Sequence, residues 1–279
     1  QTNVLNSTVS NSLNYTSFDI FTDNGFKSNN EIILKNNNSM GNNSLKYKNS
    51  PQSELMGIYA YNISLPLKKN NENTINSLIP RLSFKASPQD MKNHSSTGRR
   101  INADNVFGID RLRLGDSLEA GESLTLGIEF QKEKVTTKEE IVEIEEYFDF
   151  KLATVFRLNE EKDIPINSTI NKKASNIFGQ LNFKPTEIIS LKYNFSLTND
   201  LDRFEYNSLI TKLAFNNFST EFDYLEESGI IGQSNVISNT TEYNFDEYNS
   251  IIFSTRRNRN LNLTEYYDLV YQYKNDCLI

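Results

Sequence analysis

The sequence predicts an all-β protein of antiparallel strands, and three observations lead to this prediction. Apolar and polar residues alternate in runs of about ten residues from Leu124 to the end of the chain. Short turns alternate with longer polar connections, so consecutive runs are joined as hairpins. Aromatic residues stand at the ends of several runs, among them Tyr147, Phe183, Tyr224 and Tyr273. Together these patterns predict strands that run up and down in one sheet.

The clearest alternation follows Pro185. One face of this run is apolar and the other is polar, because successive side chains of a strand point to opposite faces. The apolar set is Ile189, Leu191, Tyr193, Phe195 and Leu197, and the polar set is Ser190, Lys192, Asn194 and Ser196. The runs 124–130 and 148–158 alternate in the same way.

The connections fall into two classes. Short turns are predicted at 184–187, 216–217, 246–247 and 274–276, where Pro, Asn and Asp favour tight reversals. Longer polar connections are predicted at 87–122, 198–205, 226–238 and 256–262. Because the two classes alternate, one end of the sheet carries the short turns and the other end carries the long loops.

The first part of the chain is less regular. Strand candidates there are 9–21, 31–35, 44–47, 57–67 and 78–86, separated by runs rich in asparagine. Pro66, Pro80 and Pro165 lie in or beside strand candidates, and we expect them to mark edges or bulges because proline cannot donate to a ladder.

Composition removes several classes of function. The chain has 279 residues, a net charge of -7, one Cys, one His and no Trp. The acidic balance argues against a nucleic-acid partner. One cysteine and one histidine leave too few groups for an internal disulfide framework, most metal sites or a triad. We therefore predict no catalytic residues, no cofactor and no metal site, and we expect the acidic run Glu139, Glu140, Glu143, Glu145 and Glu146 to be a solvated turn.

We expect the natural protein to continue at both ends of this chain. The sequence opens at Gln1 with neither Met nor a signal peptide. It closes on Cys277, Leu278 and Ile279, which read as the apolar start of another strand.

Three architectures fit these strands. A soluble β-sandwich would bury the apolar face against a second sheet, and a solenoid would show a short repeat. A transmembrane barrel would turn the apolar face to lipid and line its lumen with the polar face, with strands of roughly 9 to 11 residues. Strand length, terminal aromatic residues and alternating loop lengths favour the barrel over a soluble β protein.

Two segments resemble the barrel of the LptD family, the outer-membrane lipopolysaccharide-assembly proteins also called organic solvent tolerance proteins. The first contains a P-x-L strand from Pro80 and the pattern N-x-F-x-x-x-R, followed by a strand from about Leu124. Its motif residues are Asn105, Phe107, Asp110 and Arg111. The second, 264–279, is similar to the cysteine region at the end of the family's barrel.

The resemblance implies a large antiparallel up-and-down transmembrane β-barrel, of which residues 1–279 would be an incomplete, open part. It implies a missing periplasmic jellyroll domain and missing closing strands. The implied location is the outer membrane of a Gram-negative bacterium, and the implied substrate is lipopolysaccharide. Implied partners are an LptE-like lipoprotein plug in the lumen, periplasmic lipopolysaccharide bridge proteins that reach the jellyroll, and outer-membrane lipid. Under this reading the apolar set of 189–197 faces lipid, the polar set faces the lumen, and the long loops are external.

Two interpretations remain open for several individual residues. Cys277 is either a buried free thiol or, as the resemblance implies, half of a disulfide with an upstream cysteine absent from this chain. Arg99, Arg100, Arg111 and Arg113 either meet lipid phosphates or pair internally with Asp104, Asp110 and Asp116, and internal pairing is favoured. His94 is expected to be an exposed loop residue.

The sequence therefore leaves two hypotheses for the function. The first is a non-enzymatic outer-membrane translocon component that assembles lipopolysaccharide into the outer leaflet. The second is a soluble or surface-attached β-rich binding protein whose long loops hold a ligand. They differ in whether the apolar strand face meets lipid or a second sheet.

Overall fold

A computed structural model describes residues 3–45, 47–138 and 141–274, and these residues form one sheet of fifteen strands. The strands are β1 (Leu5–Thr16), β2 (Ile20–Phe21), β3 (Lys27–Asn42), β4 (Gln52–Ser64), β5 (Leu67–Asn70), β6 (Thr74–Ser87), β7 (Gly121–Lys138), β8 (Ile141–Arg157), β9 (Ile177–Phe183), β10 (Ile189–Leu197), β11 (Phe204–Phe215), β12 (Phe218–Glu227), β13 (Asn235–Asn244), β14 (Asn249–Asn258) and β15 (Leu263–Tyr273). A 3-10 turn at Ile166–Ser168 interrupts one connection. In the described part of the chain no helix is long and apolar enough to cross a membrane.

The strand order follows the order of the chain, which confirms the predicted antiparallel up-and-down topology. The path runs β1-β3-β4-β6 and then β7 to β15 in sequence, while β2 pairs with β3 and β5 pairs with β6. Among the described residues no pairing joins β1 to β15, so the sheet is not closed.

Strand length separates two groups. The strands β10, β12, β13, β14 and β15 have 9, 10, 10, 10 and 11 residues, as predicted for tilted membrane-crossing strands. The hairpin of β7 and β8 is longer, with 18 and 17 residues. At roughly 3.3 Å per residue, β7 extends for about 60 Å, which exceeds the thickness of the membrane's hydrocarbon core even when the strand is tilted by about 45°.

Four of the five strand candidates of the first part lie largely in strands, although 9–21 is divided between β1 and β2 and 57–67 between β4 and β5; the candidate 44–47 is wrong. Ser44 and Tyr47 lie in the bend between β3 and β4, where the Ser44 hydroxyl accepts a hydrogen bond from the Tyr47 N–H at 3.1 Å. Such a local bond favours a turn over a ladder. The proline prediction holds at Pro66, which lies between β4 and β5, and at Pro80, where β6 changes its partner from β5 to β4. It is wrong for Pro165, which lies in the connection from β8 to β9 directly before the 3-10 turn.

By its contacts the chain divides into two units. The first comprises residues 1–66, 80–127 and 154–175, and the second comprises 67–79, 128–153 and 176–279. In the first unit the connection from β6 to β7, residues 88–120, folds back over one face of the sheet. Its Leu118 packs with Ile33, Met56 and Ile58 of the strands. We call residues 88–120 the folded loop.

In the second unit one sheet face is mainly apolar, and several of its large side chains are exposed. Phe183, Ile189 and Phe253 are exposed, while polar side chains of the opposite face are buried, among them Asp149, Gln180, Ser196, Ser208 and Ser250. Aromatic rings follow one another along the apolar face, with centroids 5.8 Å apart for Phe130 and Phe148 and 6.3 Å apart for Phe148 and Phe183. A sheet that exposes its apolar face to the surroundings has the polarity of a barrel wall in lipid.

Candidate functional site

The folded loop is the most elaborate part of the first unit. Its apolar residues Ile101, Val106, Leu112 and Leu114 are buried, although the sequence predicts a long polar connection. Asn105, Phe107, Asp110 and Arg111 lie within it. The loop is therefore packed on the sheet through a buried apolar set, and is more than a solvated connection.

Arg111 holds the loop together from its centre. Its Nε donates to Glu119 Oε2 at 2.7 Å, and its Nη2 donates to Glu119 Oε1 at 2.5 Å. The remaining donors reach the Val106 carbonyl at 3.2 Å, the Thr125 hydroxyl at 2.9 Å and the Ser123 hydroxyl at 2.9 Å. All five N–H groups of a guanidinium thus have an acceptor, which is the condition for burying this charge.

A second arginine reaches the same carboxylate from strand β8. Arg157 Nη1 donates to Glu119 Oε1 at 2.7 Å, its Nη2 donates to the Ala120 carbonyl, and its Nε donates to the Asn159 carbonyl at 3.3 Å. Both guanidinium side chains are at most 1% exposed. Glu119 therefore joins the folded loop to the sheet through a buried cluster of three charges, which we call the arginine–glutamate cluster.

The cluster determines the ionisation of its carboxylate. Burial alone would raise the pKa of Glu119, but the charge and hydrogen bonds of Arg111, with Lys85 and Arg157, lower it from 4.5 to about 2. Burial raises the pKa of Asp110, against the opposing effect of Lys35. Glu119 is therefore an anion at any physiological pH.

Two lysines of the strands attach the loop through its backbone. Lys85 on β6 donates to the Gly108 carbonyl at 2.5 Å, and Lys35 on β3 donates to the Leu114 carbonyl at 2.8 Å. Lys85 is almost completely buried. Because each lysine side chain donates to a loop carbonyl, these two hydrogen bonds hold the loop backbone against the polar face of the sheet.

The other motif residues shape the loop itself. Asn105 Oδ1 accepts from the Asn102 N–H at 2.9 Å, which closes a turn. The Phe107 ring lies 4.3 Å beneath the Arg81 guanidinium, a cation–π contact. Asp110 Oδ1 accepts from the Arg113 N–H at 3.1 Å and holds the next turn.

The predicted pairing of the loop arginines is wrong for Arg111. Its carboxylate partner is Glu119, and none of Asp104, Asp110 and Asp116 contributes to its five hydrogen bonds. The reason is burial: Arg111 points into the packed interior of the loop, whereas Asp104 is exposed at its surface.

The exposed arginines of the loop share one cavity. Arg99, Arg100 and Arg113 line a space of about 610 Å³. The other lining residues are Asn102, Asp104, Asn105, Gly108, Asp110, Arg111 and Leu112.

The prediction that His94 is an exposed loop residue is wrong. Its Nε2 lies 3.0 Å from Asp116 Oδ1, its side chain is 14% exposed, and its Nδ1 lies 3.3 Å from the Thr97 hydroxyl. The lone histidine thus fastens the beginning of the folded loop to its end. This contact exists because the loop folds back on itself, which the sequence pattern does not predict.

In the second unit β10 has the predicted alternation. Tyr193 and Phe195 are neighbours on one face, with ring centroids 5.4 Å apart. On the other face Gln180 Nε2 donates to Asn194 Oδ1 at 3.1 Å and Asn176 Nδ2 donates to the Ser196 hydroxyl at 3.0 Å. Which face meets lipid stays a prediction.

Several predicted residues lie outside the described part of the chain. Cys277, Glu139 and Glu140 are among them. The prediction of a turn is wrong for Glu145 and Glu146, which lie in strand β8; both are exposed, and Glu146 accepts from Gln131 at 2.6 Å. Among the described residues, no group of three or more His, Cys, Asp or Glu side chains could hold a metal ion.

The sequence pattern did not predict functional roles for Glu119, Arg157 and Lys85. Alternation along β6 and β8 places Lys85 and Arg157 on the polar faces of their strands. Nothing in the pattern indicates that the connection returns to cover these positions. The available signal was a charged residue directly between two apolar ones, as Glu119 is between Leu118 and Ala120.

The described site offers binding and anchoring groups. Comparison with known families finds that the model of LptD, LPS transport system D, matches residues 17–267. No curated protein matches the chain.

Proposed function

The chain belongs to the LptD family of the lipopolysaccharide transport system, and from this premise we propose that it is part of an outer-membrane translocon that assembles lipopolysaccharide into the outer leaflet. The family is one of β-barrel proteins for transport and assembly. The predicted fold class, an antiparallel up-and-down β-barrel present here as an open sheet, is therefore confirmed.

The observation that carries the proposal is the polarity of the strands. In the second unit one strand face is mainly apolar and exposes large side chains such as Phe183, Ile189 and Phe253, while Ser196, Ser208 and Ser250 of the other face are buried. A soluble binding protein would cover its apolar face with a second layer, because uncovered apolar area costs roughly 25 cal/mol per Å² in water. A membrane wall has the opposite requirement, since its apolar face is solvated by acyl chains.

The same polarity suits an amphiphilic cargo. Sugar head groups can move along the face that carries Ser190, Lys192, Asn194 and Ser196, where hydroxyls, amides and ammonium groups replace water as hydrogen-bond partners. Acyl chains are excluded from that face and need an apolar path. In the first unit the folded loop covers part of the polar face and narrows the space for the cargo.

The partners of this translocon are part of the proposal. We place an LptE-like lipoprotein plug against the polar face in the lumen, and periplasmic lipopolysaccharide bridge proteins at a jellyroll domain of the full-length protein. Residues 1–279 then form a partial barrel domain that further strands must complete, because unpaired edges are not tolerated in hydrocarbon. The protein carries out no chemical step on its cargo.

The proposal is tested by depletion of the full-length protein in its own cells. The fraction of newly made lipopolysaccharide that a membrane-impermeant reagent modifies on intact cells should fall, while total synthesis continues. Tags at the exposed 96–98 turn and at Asn216-Asn217 report orientation, because we expect only the first to be accessible from outside. Unchanged surface lipopolysaccharide after depletion would exclude the function.

A further inference from the structure

We propose that the cavity of Arg99, Arg100 and Arg113 in the folded loop binds a phosphate group of the transported glycolipid. This inference rests on the proposed function and deepens it, because it names the chemical group of the cargo that the loop recognises. The group recognised is a phosphate monoester. We propose that this phosphate is carried by the lipid, and the experiment distinguishes it from free phosphate.

The cavity has the size and the lining that such a group needs. Its volume of about 610 Å³ exceeds that of a phosphate group and leaves space for part of a sugar. Three exposed guanidinium groups line it, and a guanidinium group has the geometry to present two parallel N–H donors to phosphate oxygens. The amides of Asn102 and Asn105 also line it, although Asn105 is already used in the turn.

Cations outnumber anions around this cavity. The facing acids are Asp104 and Asp110, whereas four arginines line the cavity. Arg111, which also lines the cavity, is matched by Glu119. The local field therefore attracts an anion, although the whole chain carries a net charge of -7.

The backbone at Arg113 supports the same assignment. Its φ of 48° lies in the left-handed region, where a residue other than glycine costs about 1 kcal/mol or more. Asp110 holds this conformation, since its carbonyl and its Oδ1 accept from the Arg113 N–H at 3.2 and 3.1 Å. The turn thus maintains an unfavourable conformation that places an arginine at the cavity.

The experiment measures binding of three probes to the full-length protein in detergent. The probes are lipopolysaccharide, the same lipopolysaccharide after enzymatic removal of its phosphates, and inorganic phosphate. The test variant carries Arg99→Gln and Arg113→Gln, which keep hydrogen-bonding side chains and remove two charges. The matched control carries Arg257→Gln and Arg259→Gln, an exposed arginine of β14 and one in the turn that follows it, both in the second unit.

The expected result has two parts. In the unmodified protein, dephosphorylation of the lipid should weaken binding about tenfold. The test variant should bind the phosphorylated lipid about tenfold more weakly, should bind the dephosphorylated lipid as the unmodified protein does, and should differ from the control variant. The first part uses no variant and so stands even if the double substitution impairs folding.

Three results would overturn the inference. These are equal binding of the two lipids by the unmodified protein, equal losses in test and control variants, or tight binding of inorganic phosphate alone without discrimination between the lipids. The last result would make the cavity a site for free phosphate. Failure of the proposed function is a separate outcome, because it appears as unchanged surface lipopolysaccharide on depletion, whatever the probes show.

Discussion

Gly121 leaves the space that the Arg157 guanidinium occupies. A Cβ atom at Gly121 would lie 2.9 Å from Arg157 Nη2, and the φ of Gly121 is 77°. The arginine cannot move aside into solvent, because its side chain is 1% exposed and its Nη2 donates to the Ala120 carbonyl. The first residue of β7 is thus glycine for two independent reasons, the positive φ and the neighbouring charge.

Substitution of this glycine should therefore destabilise the protein. We expect Gly121→Ala to lower the free energy of unfolding by about 1–3 kcal/mol, from the strained φ and the displaced guanidinium. The measurement is the urea midpoint of the full-length protein in micelles. Gly115→Ala is the matched control, because no atom lies within 4 Å of its added Cβ. An equal loss in both variants would contradict the explanation.

Removal of the charge of Glu119 should disrupt the arginine–glutamate cluster. Glu119→Gln leaves two buried guanidinium groups without their anion, and breaking a buried pair in this way typically costs about 3–5 kcal/mol. Increased proteolysis within the folded loop, together with a lower urea midpoint, would be the direct readout. Glu187→Gln, at an exposed turn residue, serves as control and should change neither quantity.

Acid should weaken the protein through the same residue. The folded pKa of Glu119 is about 2, below its ordinary value of 4.5, so the stability from this ionisation is fully present above pH 4.5. That stability is lost as the pH falls from 4.5 towards 2, and amounts to about 3 kcal/mol. The difference in unfolding free energy between wild type and Glu119→Gln should shrink over this range. A pH-independent difference would be evidence against the lowered pKa.

The two faces of β10 can be separated by arginine substitutions at adjacent positions. If Leu191 faces lipid near the bilayer midplane, Leu191→Arg should cost roughly 2–4 kcal/mol, whereas Lys192→Arg on the polar face should cost little. Folding of the full-length protein into micelles or bilayers, followed by heat-modifiable gel mobility, measures both. Comparable effects of the two substitutions would remove the assignment of lipid-facing and lumen-facing sets.

Cys277 follows β15 and lies outside the described residues, so its pairing stays a prediction. A disulfide to an upstream cysteine of the full-length protein would close a long loop and constrain the unfolded chain by several kcal/mol. We expect Cys277→Ser to abolish a mobility difference between reduced and non-reduced samples and to impair lipopolysaccharide export. Reaction of Cys277 with a thiol reagent in unreduced, denatured protein would show a free thiol.

The period of the sequence determined the strands and their two faces. Ile189 to Leu197 alternate so regularly that the run, its turn after Phe183 and its polar neighbour set follow from side-chain geometry alone. Ser44 and Tyr47 show the limit, since a four-residue segment carries too little alternation to outweigh one side-chain hydrogen bond in a bend.

Only the tertiary structure decided what residues 88–120 do. Arg111 and Glu119 are eight positions apart in a connection without a period, and Arg157 reaches them from 38 residues beyond Glu119. No local rule predicts that pairing, because it depends on the loop returning over a sheet that other strands build. The sequence by itself determined which groups carry charge and which strand faces are polar. Burial within the folded loop decided which charges meet, since a guanidinium removed from water must find its anion wherever the chain brings one.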